Sequence, residues 1–110
     1  LVVLGFWGSW CGCCIKGLPD MKKVYEKYKD RMEIVGIDCG DTEKKWKAAV
    51  AEHEISWLHV RNAGQEDLTV VYAVKGFPTK IVIDPQGKIA RVVVGEDPAF
   101  YTYLDSLFKL

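Results

Sequence analysis

An α/β fold, a sandwich around a mixed sheet, is what the sequence predicts, and three observations predict it. Apolar runs of strand length alternate with segments of helical periodicity. A turn signal then joins two strand-like runs into a hairpin. A last helical pattern closes the chain. With 110 residues there is room for one core and not for two.

The elements follow in order. Leu1-Val2-Val3-Leu4-Gly5-Phe6-Trp7 is a continuous apolar run, as expected of a strand buried on both faces, and Gly8-Ser9 breaks it. From about Cys14 to Lys29, Leu18, Met21, Val24, Tyr25 and Tyr28 recur near helical spacing. Lys22, Lys23, Glu26, Lys27 and Lys29 fill the other face. Pro19 lies inside this helix and is expected to kink or restart it. Met32 to Asp38 reads as a second buried strand. Asp41 or Thr42 caps a helix running to about Glu52. Ser56 to Val60 reads as a short strand, Asn62 to Gln65 as a loop, and Glu66 to Tyr72 as a helix weakened by Val70-Val71. Thr79 to Asp84 is a strand. Asp84-Pro85-Gln86-Gly87 fits a type I turn, and Lys88 to Val94 returns antiparallel. Asp97-Pro98 caps a final helix through about Lys109.

Composition excludes several classes of function. Acidic and basic residues balance at 15 each, which gives no electrostatic reason to expect nucleic acid or an anionic membrane as partner. No apolar run is long enough to span a bilayer. The chain begins at Leu1 inside an apparent strand, so residues 1–110 read as one domain excised from a longer precursor. Of the four cysteines, three crowd into four residues, which does not suit a disulfide scaffold of spread-out pairs.

Those three cysteines carry the chemistry. In Trp10-Cys11-Gly12-Cys13-Cys14, Cys11 and Cys14 stand three apart where a strand hands over to a helix. A thiolate at that place lies over free N–H groups and the positive end of the helix, which stabilises it. A thiol one turn on closes a disulfide with it, the arrangement needed for reversible dithiol–disulfide exchange. The alternative, that both are packing thiols, fits poorly at a junction flanked by Gly and Trp. Pro78, read from the residues alone, is an ordinary trans proline where a strand begins.

Phe6-Trp7-Gly8-Ser9-Trp10-Cys11-Gly12-Cys13-Cys14, then Pro19, Gly76-Phe77-Pro78-Thr79 and Asp84-Pro85-Gln86-Gly87-Lys88 together resemble the thioredoxin-like proteins, and most closely the TlpA/ResA-type thiol–disulfide oxidoreductases. The resemblance runs along essentially the whole chain. It implies the thioredoxin-like fold, a three-layer α/β/α sandwich around a mixed central sheet. It implies Cys11 as the exposed nucleophile, Cys14 as the more buried resolving thiol, and a cis Phe77–Pro78 peptide facing them. It further implies a substrate-binding surface of Trp10, Gly12, Cys13, Phe77, Pro78 and Thr79. Partners would be protein disulfides and an upstream thiol reductant. The setting would be extracytoplasmic, the domain monomeric, and no cofactor or metal is expected.

Two positions depart from that pattern. Cys13 stands where the reductant members usually have Pro, so Gly12-Cys13 leaves the redox potential open. Cys13 reads as a tolerated outward side chain, with competition for Cys11 as the alternative. Gly17 stands where many TlpA/ResA-like members have Glu, and Gly5 matches the buried Asp of thioredoxins proper. No acid–base group is therefore evident near the dithiol. Lys16 reads as a solvated helix residue and Cys39 as a small buried hydrophobe. Trp7 reads as a core anchor, Trp10 as a surface beside the nucleophile, and Trp46 and Trp57 as packing residues. His53 and His59 read as structural.

The rival reading is a module handling Cu(I) or zinc through Cys11, Cys13, Cys14 and Cys39. A peroxidase lacks its pattern, since Gly8-Ser9-Trp10 does not supply the Pro and Thr expected before a single nucleophilic cysteine. An inactive binding domain is disfavoured by the retained pair.

Overall fold

The computed structural model describes residues 1–108. Five strands and four helices alternate in it: β1 (Val2–Trp7), α1 (Gly12–Tyr28), β2 (Glu33–Asp38), α2 (Glu43–Glu52), β3 (Leu58–Arg61), α3 (Leu68–Val71), β4 (Thr79–Ile83), β5 (Ile89–Val94) and α4 (Ala99–Phe108). The strands form one mixed sheet in the order β3-β2-β1-β4-β5. β1 pairs parallel with β2, and β2 with β3, whereas β4 runs antiparallel to both β1 and β5. The α/β architecture expected from the alternation is the one found.

Period-two alternation along β1 explains how the sheet divides the core. Val3 and Trp7 join one cluster, with Leu18, Met21 and Val24 of α1 and Phe100 and Leu104 of α4. Leu4 and Phe6 join the other, with Ile37, Cys39 and Ile81, against which Leu68, Tyr72 and Val74 pack. The first face thus carries α1 and α4, with Ala49 of α2. The second is covered by the four-residue α3 and its flanks. Phe6 and Phe100 are wholly buried, each stabilising its layer by about 1.5–3 kcal/mol through removal of apolar surface from water.

Three elements differ from the predicted bounds by two residues, each for a local reason. α1 starts at Gly12 and not at Cys14, because Cys11 caps it and the Cys11 carbonyl accepts the Ile15 N–H at 3.1 Å. Pro19 does not restart α1. The helix continues through it, with Leu18 and Met21 held in the same core on either side. β3 begins two residues late, since Trp57 turns into the core before pairing starts at Val35–Leu58. α3 is shorter than expected because Asp67 caps it and Val70 and Val71 face solvent, leaving the helix no buried residue. Thr42 caps α2 as expected, its hydroxyl accepting the Lys45 N–H. In the predicted turn, Gly87 N–H returns to the Asp84 carbonyl at 2.9 Å. Asp97 accepts the Ala99 N–H at the start of α4, whose expected end at Lys109 lies outside the described residues.

Candidate active site

The site is assembled where β1 ends and α1 begins. Cys11 is the N-cap of α1 in extended conformation, and its sulfur accepts the Cys14 N–H at 3.2 Å. This is the placement at the positive helix end expected from the spacing. Cys11 and Cys14 are joined as a disulfide with their Cα atoms 5.3 Å apart, while Cys13 and Cys39 are free. The bond is the one the chemistry requires. It runs between the first and third thiols of the motif, and Cys13 points out to solvent.

The exposure expected for Cys11 is not found. Cys11 is 7% exposed and Cys14 5%, so burial does not distinguish them in this oxidised state. Both sulfurs belong to the core cluster under α1, against which Phe77 also packs. Aromatic residues neighbour the dithiol, one beside it in the chain and one packed against the same core cluster.

Those neighbours are Trp10 and Phe77. Trp10 is 55% exposed and meets Phe77 edge-to-face with ring centroids 5.2 Å apart. Its indole Nε1 donates to the Cys39 carbonyl at 2.7 Å, which pins an otherwise exposed ring. Gly8 is required for that position, because a Cβ there would come within 2.2 Å of Nε1. The Phe77–Pro78 peptide is cis, as the resemblance implied, and Pro78 shares a small cavity with Cys14. Thr79, expected on the binding surface, is buried, and its hydroxyl donates to the Gly76 carbonyl at 2.6 Å. It holds the shape of the proline loop from below. Gly12 is exposed at the first turn of α1, and no described atom comes within 4 Å of a Cβ placed on it.

Two carboxyl groups missed in the sequence brace the loop before Cys11. The Asp41 carboxylate accepts the Ser9 N–H at 2.8 Å and the Ser9 hydroxyl at 2.6 Å. Burial alone would lift the Asp41 carboxyl. Hydrogen bonds from Asp38 and from both donors of Ser9 outweigh it and hold the group below the usual carboxylate range. Asp38, at the end of β2, is wholly buried. Burial first, and then its hydrogen bond to Asp41, push its carboxyl up to about 8. Neither Asp38 oxygen makes a hydrogen bond of normal geometry among the described residues, and the Asp41 amide and Arg61 offset only part of the rise. Asp41 was expected as a possible helix cap. Nothing in the sequence flagged it as a partner of Ser9.

A third missed carboxylate, Glu96, forms an ion pair with Lys80 of β4, whose side chain is 4% exposed. Gly5, Cys14, Pro78, Lys80 and Glu96 are among the residues lining a small, partly open cavity of about 30 Å³. The gap left by Gly5 and Gly17 is therefore not without a carboxylate.

The remaining residues fall as follows. Trp7 and Trp57 are buried packing residues, and Trp46 meets His59 edge-on. His53 offers its carbonyl to Lys22. Lys16 is exposed. Cys39 is buried, and burial pushes its thiol up to about 11. It packs in the cluster on the opposite face of the sheet from Cys11 and Cys14, so it does not complete a ligand set with them. Among the described residues, no group of three or more His, Cys, Asp or Glu is arranged to hold a metal ion. No helix among the described residues is long and apolar enough to cross a membrane.

Comparison with known proteins agrees with this geometry. A family model described as thioredoxin-like matches residues 1–89. The thiol-disulfide oxidoreductase ResA of Bacillus cereus is 34% identical over 96 residues, covering 86% of this chain and 55% of that protein. ResA of Bacillus subtilis is 32% identical over 95 residues, with 86% and 52% covered. The chain thus spans about half the length of these curated relatives. Among solved structures, a thiol:disulfide interchange protein from Bacteroides sp. superimposes with a TM-score of 0.84 at 29% identity, covering 99% of this chain and 73% of that one. A thiol-disulfide oxidoreductase from Bacteroides fragilis gives a TM-score of 0.85 at 26% identity, with 97% and 80% covered.

Proposed function

We propose that this chain, which belongs to the thioredoxin-like family, is a thiol–disulfide oxidoreductase that works as a reductase of protein disulfides. The observation that carries the reading is the Cys11–Cys14 disulfide closed across the first turn of α1, with the Cys11 sulfur on the Cys14 amide. Similarity to ResA proteins along 86% of the chain supports it.

In the reducing direction, Cys11 thiolate attacks one sulfur of a substrate disulfide and the other leaves as thiolate. Cys14 then attacks the Cys11 sulfur, the second substrate sulfur leaves, and the two electrons lost by the dithiol are those gained by the substrate. An upstream thiol reductant restores Cys11 and Cys14. Trp10, Gly12, Cys13, Phe77 and Pro78 form the surface a substrate meets, with Thr79 beneath. The domain acts as a monomer, its site being built from one chain. An extracytoplasmic setting follows from the resemblance to the TlpA/ResA type.

Insulin reduction with dithiothreitol as the terminal reductant tests the assignment. Cys11→Ser is expected to abolish turnover, and Cys14→Ser to accumulate a mixed disulfide visible by mass. Cys13→Ser is expected to keep turnover within about threefold, since the exposed thiol takes no part in the bond. Turnover that survives Cys11→Ser, or mass-mapped pairing through Cys13, would remove the assigned roles. A Cys11–Cys14 potential well on the oxidising side would reverse the direction.

A further inference from the structure

Gly17 lies one helical turn beyond Cys14, and a carboxylate from the far end of the chain fills the space beside it. A Cβ on Gly17 would lie 2.4 Å from Cδ and Oε1 of Glu96 and 2.6 Å from Oε2. No side chain at 17 is compatible with that carboxylate in place. Glu96 is held there from two sides. The Gly95 N–H donates to the Pro78 carbonyl at 2.7 Å, which ties the end of β5 to the proline loop. Lys80 forms the ion pair, its ammonium lying 5.2 Å from the Phe100 ring centroid and 5.7 Å from that of Tyr101. Lys80 is the cross-strand partner of Gly5, so the pair sits at the central strand under α1. Cys14, Lys80 and Glu96 thus line one small, partly open cavity of about 30 Å³, enough for a proton-carrying water.

We propose that Glu96 accepts the proton of the Cys14 thiol in the resolving step, with Lys80 as the positioning residue that holds the carboxylate at the cavity. This rests on the assignment of Cys14 as the resolving thiol. The Cys14 proton crosses the cavity to Glu96. The Cys14 thiolate attacks the Cys11 sulfur, the Cys11–Cys14 bond forms as the Cys11–substrate bond breaks, and the electron pair leaves on the substrate sulfur. That thiolate takes a proton from water, and Glu96 returns its own to solvent. The other titratable groups around Glu96 are Lys16 and Asp20 of α1 and Tyr101 of α4, which line the groove on its outer side. Burial, and then the Glu96 charge, push the Tyr101 hydroxyl well above its ordinary value, so it stays a neutral phenol.

The test follows the two thiolates released from the chromogenic disulfide dithiobis(nitrobenzoate) by reduced protein in a Cys13→Ser background, with Cys39 buried. The first release reports attack by Cys11 and the second reports resolution by Cys14. Glu96→Gln is expected to leave the first within about twofold and to slow the second about tenfold at neutral pH, moving its pH profile upward by about one unit. Lys80→Met is expected to displace the same profile and Lys80→Arg to restore it. The double change Gly17→Glu with Glu96→Gly returns the carboxylate to α1 and is expected to bring the second release back within about threefold of the parent. Should Glu96→Gln not fold, Glu96→Asp retracts the carboxylate by one methylene and is read the same way. A folded variant with an unchanged second release and pH profile overturns the role of Glu96. Absence of the first release in the parent would instead overturn the oxidoreductase reading on which it rests.

Discussion

Two pairs of ionisable groups flank the dithiol, one of like charges and one of opposite charges. In the first, burial and then Asp41 push the Asp38 carboxyl up, while the Ser9 donors help hold Asp41 low. In the second, the buried Lys80 ammonium is offset by the more exposed Glu96 carboxylate. The first pair braces Ser9, two residues before Cys11. The second lies beside Gly17, three residues after Cys14. The raised Asp38 carboxyl makes the support of the Cys11 loop sensitive to pH near neutrality.

The largest expected effect breaks the second pair. Glu96→Gln leaves the buried Lys80 ammonium without its counter-charge and is expected to cost about 3 kcal/mol in urea unfolding at neutral pH. Adding Lys80→Met to Glu96→Gln should recover more than half of that loss, because no unpaired buried charge remains. Equal stabilities of the single and double variants would show that the two groups are not coupled.

Asp38→Asn sharpens the contrast. A carboxyl raised to about 8 in the folded state stabilises the fold most below its ordinary range, and that stability is lost as pH rises towards 8. The parent is expected to lose about 2 kcal/mol of this contribution between pH 5 and pH 8, a loss that Asp38→Asn removes. Asp41, held low, contributes in the opposite sense, losing stability only in strong acid. Parallel pH profiles for parent and Asp38→Asn would place the proton elsewhere.

Ser9→Ala is the smallest change. It deletes the hydroxyl contact to Asp41 and keeps the amide contact, so about 1 kcal/mol is expected by thermal or urea unfolding. A loss as large as that from Glu96→Gln would mean that the Cys11 loop depends on this contact far more than its half-buried position implies.

Much of the molecule was legible in local pattern. Leu18, Met21, Val24 and Tyr28 mark the buried face of α1 because helical spacing puts them on one side. Asp84 to Gly87 mark the hairpin because each residue type suits its place in the turn. The dithiol was legible because its spacing spans one helical turn. The boundaries that moved are those where a side chain chose a partner outside its own segment. Trp57 entered the core in place of extending β3, and the cysteine sulfur took the capping role that an oxygen usually fills. The burial of Cys11 was not legible, since it depends on the core that gathers under α1.

The sequence by itself determined the order of strands and helices and the spacing of the redox pair, because periodicity, turn chemistry and motif spacing act over a few residues, whereas the cis Phe77–Pro78 peptide was implied only by the family resemblance. Only the tertiary structure decided which carboxylates stand by the dithiol. Gly17 read as the loss of an acid. The sheet order and the bond from Gly95 to Pro78 bring Glu96 against that glycine, and the loop after β2 brings Asp41 to Ser9. Packing sets such contacts across long stretches of chain, and no local rule encodes them.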